Sequence, residues 1–225
     1  MSTKDGRSHW DEVRALMDVP NIRFGRHLTY WMRNSPRRLL HSMAYYKFAS
    51  KLIGTHKKVL DIGCGEGIGT WLLAKECGFA EGVDFDEDAL LIAKQNYVDE
   101  RVRFCCENIF DRKKEAWSGI VNFDVIEHIL PKNAGRFMRF ICENLVDDGI
   151  CVIGTPSLTS DQFANSIIRA GHVNLYTGER LEEEMSKYFE HVFIFAANDE
   201  IIHTGFLPLA HYLLAVGCGP RQPQD

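Results

Sequence analysis

Residues 59–69, VLDIGCGEGIG, decide the fold of this chain. An apolar run ends in Asp61, glycine recurs at positions 63, 65, 67 and 69, and the amphipathic run TWLLAK follows at 70–75. This order predicts a buried strand, a tight turn and a helix. Because glycine has no Cβ and tolerates positive φ, such a turn lets the backbone pass close to a ligand. The free N–H groups of the helix start face the same ligand.

The glycine spacing separates two classes of ligand. The dinucleotide fingerprint G-x-G-x-x-G/A is absent, because its third position falls on Ile68 or Thr70. The pattern acid-x-G-x-G-x-G resembles the first motif of class I S-adenosylmethionine (SAM)-dependent methyltransferases. In that family the glycine turn packs against the methionine part of SAM. The cofactor contacts that the resemblance implies here are Asp61, Gly63, Cys64, Gly65 and Gly67.

Strand and helix periods alternate from residue 58 onward. Strands are predicted at about 58–62, 79–84, 102–106, 119–123, 149–154, 190–197 and 200–205. Helices are predicted at about 68–77, 86–97, 131–145 and 178–188. This alternation predicts an α/β fold with a seven-stranded, mostly parallel, doubly wound sheet. The resemblance specifies a Rossmann-like methyltransferase fold whose last strand is antiparallel.

The region before this sheet carries no chemical signature. A short amphipathic helix is predicted at 9–18, an irregular aromatic and basic loop at 21–35, and a long helix at 36–54. In the resembled family this region usually covers the substrate. We therefore expect residues 1–55 to form an N-terminal helical lid and residues 56–225 to form the SAM-binding domain.

The second strand ends in Asp84, 23 residues after Asp61. A carboxylate there can accept hydrogen bonds from both ribose hydroxyls of a nucleoside. The corresponding acid has that role in the resembled family, and the following Phe85 would pack on the adenine. The alternative is that Asp84 caps the next helix, although Asp86 suits that role itself.

The third and fourth strands end in further candidate cofactor contacts. The family usually has an acid where Asn108 falls, and that acid accepts a hydrogen bond from the adenine amine. The Asn side-chain oxygen can do the same, so whether Glu107 or Asn108 faces the base stays open. Ile109 follows as a cofactor contact, and Asn122 and Phe123 would lie beside the sulfonium and methyl group.

The segment DVIEH at 124–128 resembles the corresponding motif of the ubiquinone-biosynthesis O-methyltransferases and of the small-RNA 3′-end 2′-O-methyltransferases. Both groups carry acid-x-x-Glu-His here and a further His after the fifth strand. The matching residues are Asp124, Glu127, His128 and His172. The resemblance implies a catalytic set of Glu127, His128 and His172, with His128 as the first candidate base and His172 as the second.

The same residues suit a divalent cation. Carboxylates and imidazoles bind Mg²⁺, Mn²⁺ or Zn²⁺, and a bound cation would polarise an attacking hydroxyl. Many methyltransferases of this shape keep Glu-His without a metal, so SAM is the expected cofactor and a metal is not favoured. The long segment 157–177 follows the fifth strand, at the sheet edge where ligands bind in such folds.

Composition narrows the class of protein to which this chain can belong. The chain has 225 residues with 45% apolar and 25% charged residues, which argues against disorder. No apolar run approaches a membrane span, no signal-peptide pattern occurs, and the seven cysteines form no C-x-x-C pair. Reduced thiols in a cytoplasmic protein are the expectation.

Charge is distributed unevenly along the chain. Residues 1–60 carry twelve Lys or Arg against four Asp or Glu, whereas residues 61–225 carry fourteen against 27. A basic region on an acidic body favours an anionic acceptor or partner. Together with the general resemblance it suggests O- or N-methylation of an anionic small molecule, such as a phosphorylated or nucleotide-linked sugar of surface carbohydrate synthesis.

Two other functions stay open at this stage. An RNA 2′-O-methyltransferase would use the same acid, Glu and His residues, but the net charge of −5 argues against a nucleic-acid partner, and no second His stands beside His172. A non-catalytic SAM-binding partner protein is the other alternative. The apolar segment 206–218 is expected to be buried or to face a second copy of the chain in a homodimer.

Overall fold

A computed structural model of the protein describes residues 6–17 and 19–221. The helices are α1 (Gly6–Leu16), α2 (Arg26–Asn34), α3 (Arg37–Ile53), α4 (Ile68–Cys77), α5 (Glu87–Asn96), α6 (Pro131–Asn144), α7 (Ser166–Gly171) and α8 (Gly178–Ser186). The strands are β1 (Lys57–Ile62), β2 (Gly78–Asp84), β3 (Val102–Cys106), β4 (Trp117–Phe123), β5 (Leu145–Pro156), β6 (Phe189–Ala197), β7 (Ile202–His203) and β8 (Tyr212–Pro220). Within these ranges no helix combines the length and apolar composition that crossing a bilayer requires.

The strands form one sheet in the order β3-β2-β1-β4-β5-β8-β6-β7. Strands β1 to β5 pair in parallel, whereas β8 runs antiparallel to β5 and β6. The carboxyl ends of β1, β2, β4 and β5 therefore lie at one edge, where ligands bind in open α/β sheets. The predicted α/β fold is confirmed, and the described residues form eight strands where seven were predicted.

The extra strand comes from the apolar segment near the carboxyl end. Strand β8 lies inside the sheet, and its residues Leu213, Leu214 and Ala215 are fully buried. A strand covered on both faces needs apolar side chains at successive positions. This burial removes the basis for expecting a dimer contact at 212–218. The strand predicted at 200–205 is reduced to β7, which adds two residue pairs to β6.

Alternation along the strands distributes side chains between two cores. On β4, Ile120 packs in a cluster that includes side chains of α6 and α8, and its neighbour Val121 packs in a cluster with α3 and α4. Successive strand residues point to opposite faces, so one apolar run serves both layers. The sheet is thereby covered by helices on both sides, as the alternation of elements predicted.

The N-terminal region is more helical than predicted. Residues 26–34 form α2, so the prediction of an irregular loop there is wrong. The helix predicted at 9–18 is α1, and residue 18 lies outside the described residues. Helix α3 agrees with the predicted long helix, and Tyr45, Tyr46 and Ala49 on it are buried against the sheet.

Candidate active site

The glycine turn is anchored on the neighbouring strand. The N–H groups of Gly63 and Cys64 both donate to the carbonyl oxygen of Val83, at 2.8 and 3.2 Å. Gly65 and Gly67 have φ of +51° and +79°, a region that L side chains rarely adopt. A Cβ on Gly67 would lie 2.7 Å from an aromatic ring of β3, whereas one on Gly65 would meet nothing within 4 Å. The space beside Gly65 is therefore open to a ligand.

Asp61 supports this turn from inside. Its side chain is fully buried, and it accepts hydrogen bonds from Thr70 Oγ1 at 2.6 Å and from Tyr46 Oη at 3.2 Å. Burial raises the pKa of Asp61 to about 7, against the lowering effect of these two hydrogen bonds. Its side chain is thus enclosed by the chain and supports the turn, and its predicted contact with the cofactor stays a prediction.

Asp84 reaches the turn from the end of β2. One carboxylate oxygen accepts from the Gly65 N–H at 2.8 Å and the other from the Asp86 N–H at 3.0 Å. Asp86 caps α5 by accepting from the Ala89 N–H, so Asp84 does not have the capping role. Lone pairs remain on both Asp84 oxygens for ribose hydroxyls. Phe85 beside it is 82% exposed and leaves a ring face free.

Two residues after β3 differ in where they point. Glu107 pairs with the Arg112 guanidinium, which also pairs with Glu81. Asn108 is exposed and caps a short turn: its Oδ1 accepts from the Phe110 N–H at 3.0 Å and keeps a second lone pair that can accept from an amine. Of the two, the structure leaves Asn108 free to meet an adenine amine. Ile109 next to it is buried.

The end of β4 holds an unpaired amide. Asn122 is fully buried, and neither its nitrogen nor its oxygen has a hydrogen-bond partner among the described residues. A buried amide without a partner is costly, which fits a group that pairs with a ligand. Phe123 instead packs its ring on Tyr46 at a centroid distance of 4.7 Å, on the face that carries α3. Cys64 is also buried, and burial raises the pKa of its thiol.

Glu127 lies under the acceptor side of the site. It is fully buried, and one carboxylate oxygen accepts from Thr155 Oγ1 at 3.0 Å while the other has no partner among the described residues. Its backbone carbonyl accepts from the N–H groups of Val173 and Asn174, which fixes the loop that carries His172. Burial and the nearby Asp124 carboxylate raise the pKa of Glu127 to about 8.

The two histidines meet over Glu127. His128 Nδ1 lies 2.7 Å from the Gly171 carbonyl oxygen, which can only accept, so Nδ1 carries the proton and the neutral ring has its lone pair on Nε2. That Nε2 is 4.0 Å from the free oxygen of Glu127. The rings of His128 and His172 lie 5.3 Å apart. Burial, then the nearby His128, lowers the pKa of His172, and its Nδ1 is buried without a partner among the described residues.

A cavity of about 380 Å³ opens beside these residues. Its lining comes mainly from α2, α3 and the segment after β5, and includes the side chains of Arg38, Asp124 and His172. Arg38 stacks its guanidinium on the Trp31 ring at 3.7 Å. Asp124 is held at φ +57°, which is strained for a residue with a side chain, and its N–H donates to the Gly154 carbonyl at 3.0 Å.

Comparison with known proteins decides the family. The family model described as a methyltransferase domain matches residues 24–188, which is more than half of the chain. The chain belongs to the methyltransferase domain family. This finding confirms the predicted class I SAM-dependent family and, with it, SAM as the cofactor.

This chain matches only part of the length of each of two relatives. A protein of Mycobacterium tuberculosis named "Probable S-adenosylmethionine-dependent methyltransferase" is 28% identical over 180 residues, which cover 68% of this chain and 61% of the relative. The ubiquinone biosynthesis O-methyltransferase of Glaesserella parasuis is 32% identical over 127 residues, or 52% of each chain. The chain thus spans about three fifths of the first relative and half of the second.

A solved structure matches the methyltransferase over nearly its whole length. The N-methyltransferase NodS from Bradyrhizobium japonicum, in complex with S-adenosyl-L-homocysteine (SAH), has a TM-score of 0.66 at 17% identity. The match covers 88% of this chain and 94% of that one. This likeness confirms the predicted Rossmann-like methyltransferase fold.

The side chains of the methyltransferase also fit a divalent cation. One ligand atom each from Glu127, His128 and His172 lies within 4.8 Å of the others. Two of the candidate ligand atoms, Glu127 Oε1 and His172 Nδ1, are buried without a partner in the described chain. Carboxylate and imidazole suit Mg²⁺, Mn²⁺ or Zn²⁺, so this donor set fits the group that the resemblance allows.

The structure adds residues that sequence reasoning missed. Arg38 was one of many basic N-terminal residues, and nothing in the local pattern separates it from Arg37. Glu66, inside the glycine turn, is 5% exposed, and the motifs in the sequence assign it no role. An acid between two glycines of the turn is the one sequence signal that could have singled it out. His211 and Tyr212 also line the cavity.

Proposed function

We propose that the protein transfers a methyl group from SAM to an oxygen or nitrogen of an anionic small molecule. The acceptor lone pair attacks the methyl carbon, the carbon–sulfur bond breaks with its electrons left on sulfur, and SAH leaves. The acceptor proton passes to a base on the protein. Because the donor is already activated, the protein mainly aligns the two partners and excludes water. The observation that carries this proposal is a cavity whose lining includes both Arg38 and His172.

The cofactor half of the site follows from the glycine turn. Asp84 accepts from the ribose hydroxyls, Phe85 covers one face of the adenine, and Asn108 meets its amine. Asn122 supplies an amide where the methionine part of the cofactor ends. Asp61 holds the turn in shape rather than touching the cofactor, since it is fully buried and accepts from Thr70 and Tyr46.

The acceptor half assigns His128 as the base. Its Nε2 lone pair is free because Nδ1 donates to the Gly171 carbonyl. Glu127 Oε1 lies 4.0 Å from that nitrogen, and once ionised, above its raised pKa of about 8, the carboxylate stabilises the imidazolium that forms when the proton arrives. His172 is the second candidate, because its lowered pKa keeps it neutral near pH 7.

Arg38 selects for negative charge on the acceptor. No described carboxylate pairs with its guanidinium, which is half-buried and held in place by the Trp31 ring. A fixed guanidinium binds a carboxylate or phosphate through two parallel hydrogen bonds. Apolar side chains such as Leu28, Phe163 and Ile168 line the rest of the cavity and suit an apolar part of the same molecule. The volume lies in the range of small-molecule sites, which favours such an acceptor over a nucleic acid.

Paired acceptors test this proposal. Phosphorylated sugars, nucleotide-linked sugars and aromatic carboxylates, each with a neutral analogue, are incubated with the protein and SAM, and SAH release is measured. We expect turnover with an anionic member and at least tenfold less with its neutral partner. Arg38→Gln should raise the acceptor KM at least about tenfold and leave SAH affinity unchanged, because a buried charged hydrogen bond contributes about 1.5–3 kcal/mol.

The control for that test is the neighbouring residue. Arg37 is exposed and does not line the cavity, so Arg37→Gln should behave as the wild type. Equal turnover of charged and neutral acceptors, or equal KM in the two variants, contradicts the anionic assignment.

A metal-assisted form of the reaction is the second candidate. The two unpaired ligand atoms on Glu127 and His172 favour it. A bound cation would lower the pKa of an acceptor hydroxyl. Calorimetric titration of the SAH complex with Mg²⁺, Mn²⁺ and Zn²⁺ tests this candidate. Binding that Glu127→Gln abolishes supports it, and the absence of binding for all three ions contradicts it.

The remaining expectations concern organisation. We propose that residues 1–55 cover the acceptor, with α2 and the first turns of α3 as the covering part, and that residues 56–225 bind SAM. The seven cysteines are all free thiols, which fits a reducing compartment such as the cytoplasm.

A further inference from the structure

Glu66 joins the cofactor turn to a helix that is distant in sequence. It stands between Gly65 and Gly67 and is 5% exposed. Its carboxylate accepts from the Gly25 N–H at 2.6 Å and from the Leu28 N–H at 3.0 Å. These are N–H groups at the start of α2, where a helix has donors without intrahelical partners. A carboxylate from another part of the chain therefore caps α2 and complements its positive end.

The approach is so close that a side chain at position 25 would clash with the Glu66 carboxylate. A Cβ added there would lie 2.7 Å from Glu66 Cδ and 2.8 Å from one of its oxygens. Gly25 has φ of −78°, so the clash comes from this contact and not from its backbone conformation. A side chain at position 25 would therefore break the contact, by displacing either the Glu66 carboxylate or the start of α2.

A second contact fastens the chain just before α2. The Arg23 N–H donates to Asn96 Oδ1 at 3.0 Å, and Asn96 Nδ2 donates to the Arg23 carbonyl at 2.7 Å. Asn96 is the last residue of α5, and Ala93, one turn earlier, lies against Gly67 of the glycine turn. The start of α2 is thus tied both to the glycine turn and to the helix that packs on it.

The rest of α2 faces the acceptor cavity. Leu28, Trp31 and Met32 line it, and the Trp31 ring supports Arg38. One helix therefore has its start on the glycine turn and its body in the cavity wall. The orientation of the cavity wall depends on the position of the Glu66 carboxylate.

We infer that Glu66 is a positioning residue that couples cofactor binding to the shape of the acceptor cavity. Its two glycine neighbours have positive φ, so the carboxylate is placed by the conformation of the turn. A cofactor that orders the turn orders Glu66, and Glu66 orders α2. Coupling of binding sites is reciprocal, so an ordered α2 also strengthens cofactor binding. The identity of the cavity as the acceptor site rests on the proposed function, whereas the link between turn and helix does not.

Hydrogen exchange measured by mass spectrometry tests the link with SAH alone. In the wild type, saturating SAH should slow exchange of the peptide that covers residues 23–34. In Glu66→Ala, that peptide should exchange at least about tenfold faster with SAH present, and SAH affinity by calorimetry should fall about tenfold. Gly25→Ala should do the same through the steric clash. Glu66→Gln keeps one acceptor oxygen, so its exchange rate and SAH affinity should lie between those of the wild type and of Glu66→Ala.

The surface variant Glu182→Ala, on α8, is the matched control and should behave as the wild type. If Glu66 only stabilised the fold, its replacement would change the exchange rate of residues 23–34 equally with and without SAH. The decisive quantity is therefore the difference between the exchange rates with and without SAH. The inference is overturned if SAH does not slow exchange of α2 in the wild type. It is also overturned if exchange of α2 with SAH bound is unchanged in Gly25→Ala and Glu66→Gln. Because no acceptor is needed, this outcome is separate from failure to find an anionic substrate.

Discussion

The cofactor half and the acceptor half of the site differ in how their polar groups are paired. On the cofactor half, both oxygens of Asp61 and both oxygens of Asp84 accept hydrogen bonds from the chain itself. On the acceptor half, one oxygen of Glu127 and Nδ1 of His172 have no partner in the described part of the chain, and Asn122 stands unpaired between the halves. The carboxylates of the cofactor half are therefore paired within the chain, whereas the acceptor half keeps polar atoms that a ligand can pair.

This difference indicates which part of the site gains the most free energy when a ligand binds. A buried polar group without a partner costs about 1–3 kcal/mol, and a ligand that pairs with it recovers that free energy. The acceptor half holds such groups, together with Arg38. Four changes test the comparison, from the largest expected effect to the smallest.

Loss of the proposed base should affect the acceptor half alone. His128→Ala should lower kcat by about 10²–10⁴-fold, the usual contribution of a positioned base, with SAH affinity unchanged. Rates are measured with the acceptor that the paired panel identifies, and SAH binding is measured by calorimetry. His191→Ala, on the exposed edge of β6, is the control. A kcat within threefold of the wild type would remove His128 from the mechanism.

Loss of the ribose acid should affect the cofactor half alone. Asp84→Ala removes the acceptor for two backbone N–H groups and for the ribose, so SAH affinity should fall about 100-fold. The control Asp86→Ala loses the α5 cap and should cost about 1 kcal/mol of stability with little change in SAH affinity. If both variants bind SAH equally well, Asp84 has no special role.

The buried Asp61 should make stability depend on pH. Its folded pKa of about 7 lies above the unfolded value near 3.8, so the folded state holds the proton more tightly. This stabilisation is complete below about pH 4 and is lost as pH rises towards 7, at up to about 1.4 kcal/mol per pH unit. Urea unfolding of the wild type and Asp61→Asn between pH 4 and 8 measures it. The variant should show a shallower decline, and equal slopes would contradict the assignment.

The smallest effect is expected at the boundary between the halves. Asn122→Leu replaces an unpaired buried amide with an apolar side chain of similar size. It should raise the unfolding free energy of the ligand-free protein by about 1 kcal/mol and reduce the rise in Tm that SAH produces. Denaturant unfolding and thermal unfolding with and without SAH measure the two effects. An equal Tm rise in variant and wild type would show that the amide does not meet the cofactor.

Local pattern determined much of this protein. Apolar runs and helix periods predicted the parallel strands and the helices between them, because a strand buried on both faces needs successive apolar residues and a helix on the sheet needs them at a period of 3.6. The glycine turn and the DVIEH segment can also be recognised from residues that are adjacent in the sequence. The family, the fold and the candidate residues were therefore accessible without coordinates.

Contacts between distant residues were decided only by the tertiary structure. Strand β8 enters the sheet between β5 and β6, a placement that its apolar composition does not specify. The sequence does not reveal helix α2 because the acid that caps it, Glu66, lies 41 residues from Gly25. Arg38 differs from Arg37 in lining the cavity, and that difference follows from how α3 packs in the folded chain. Each depends on which surfaces meet in space, and sequence periodicity carries no information about that.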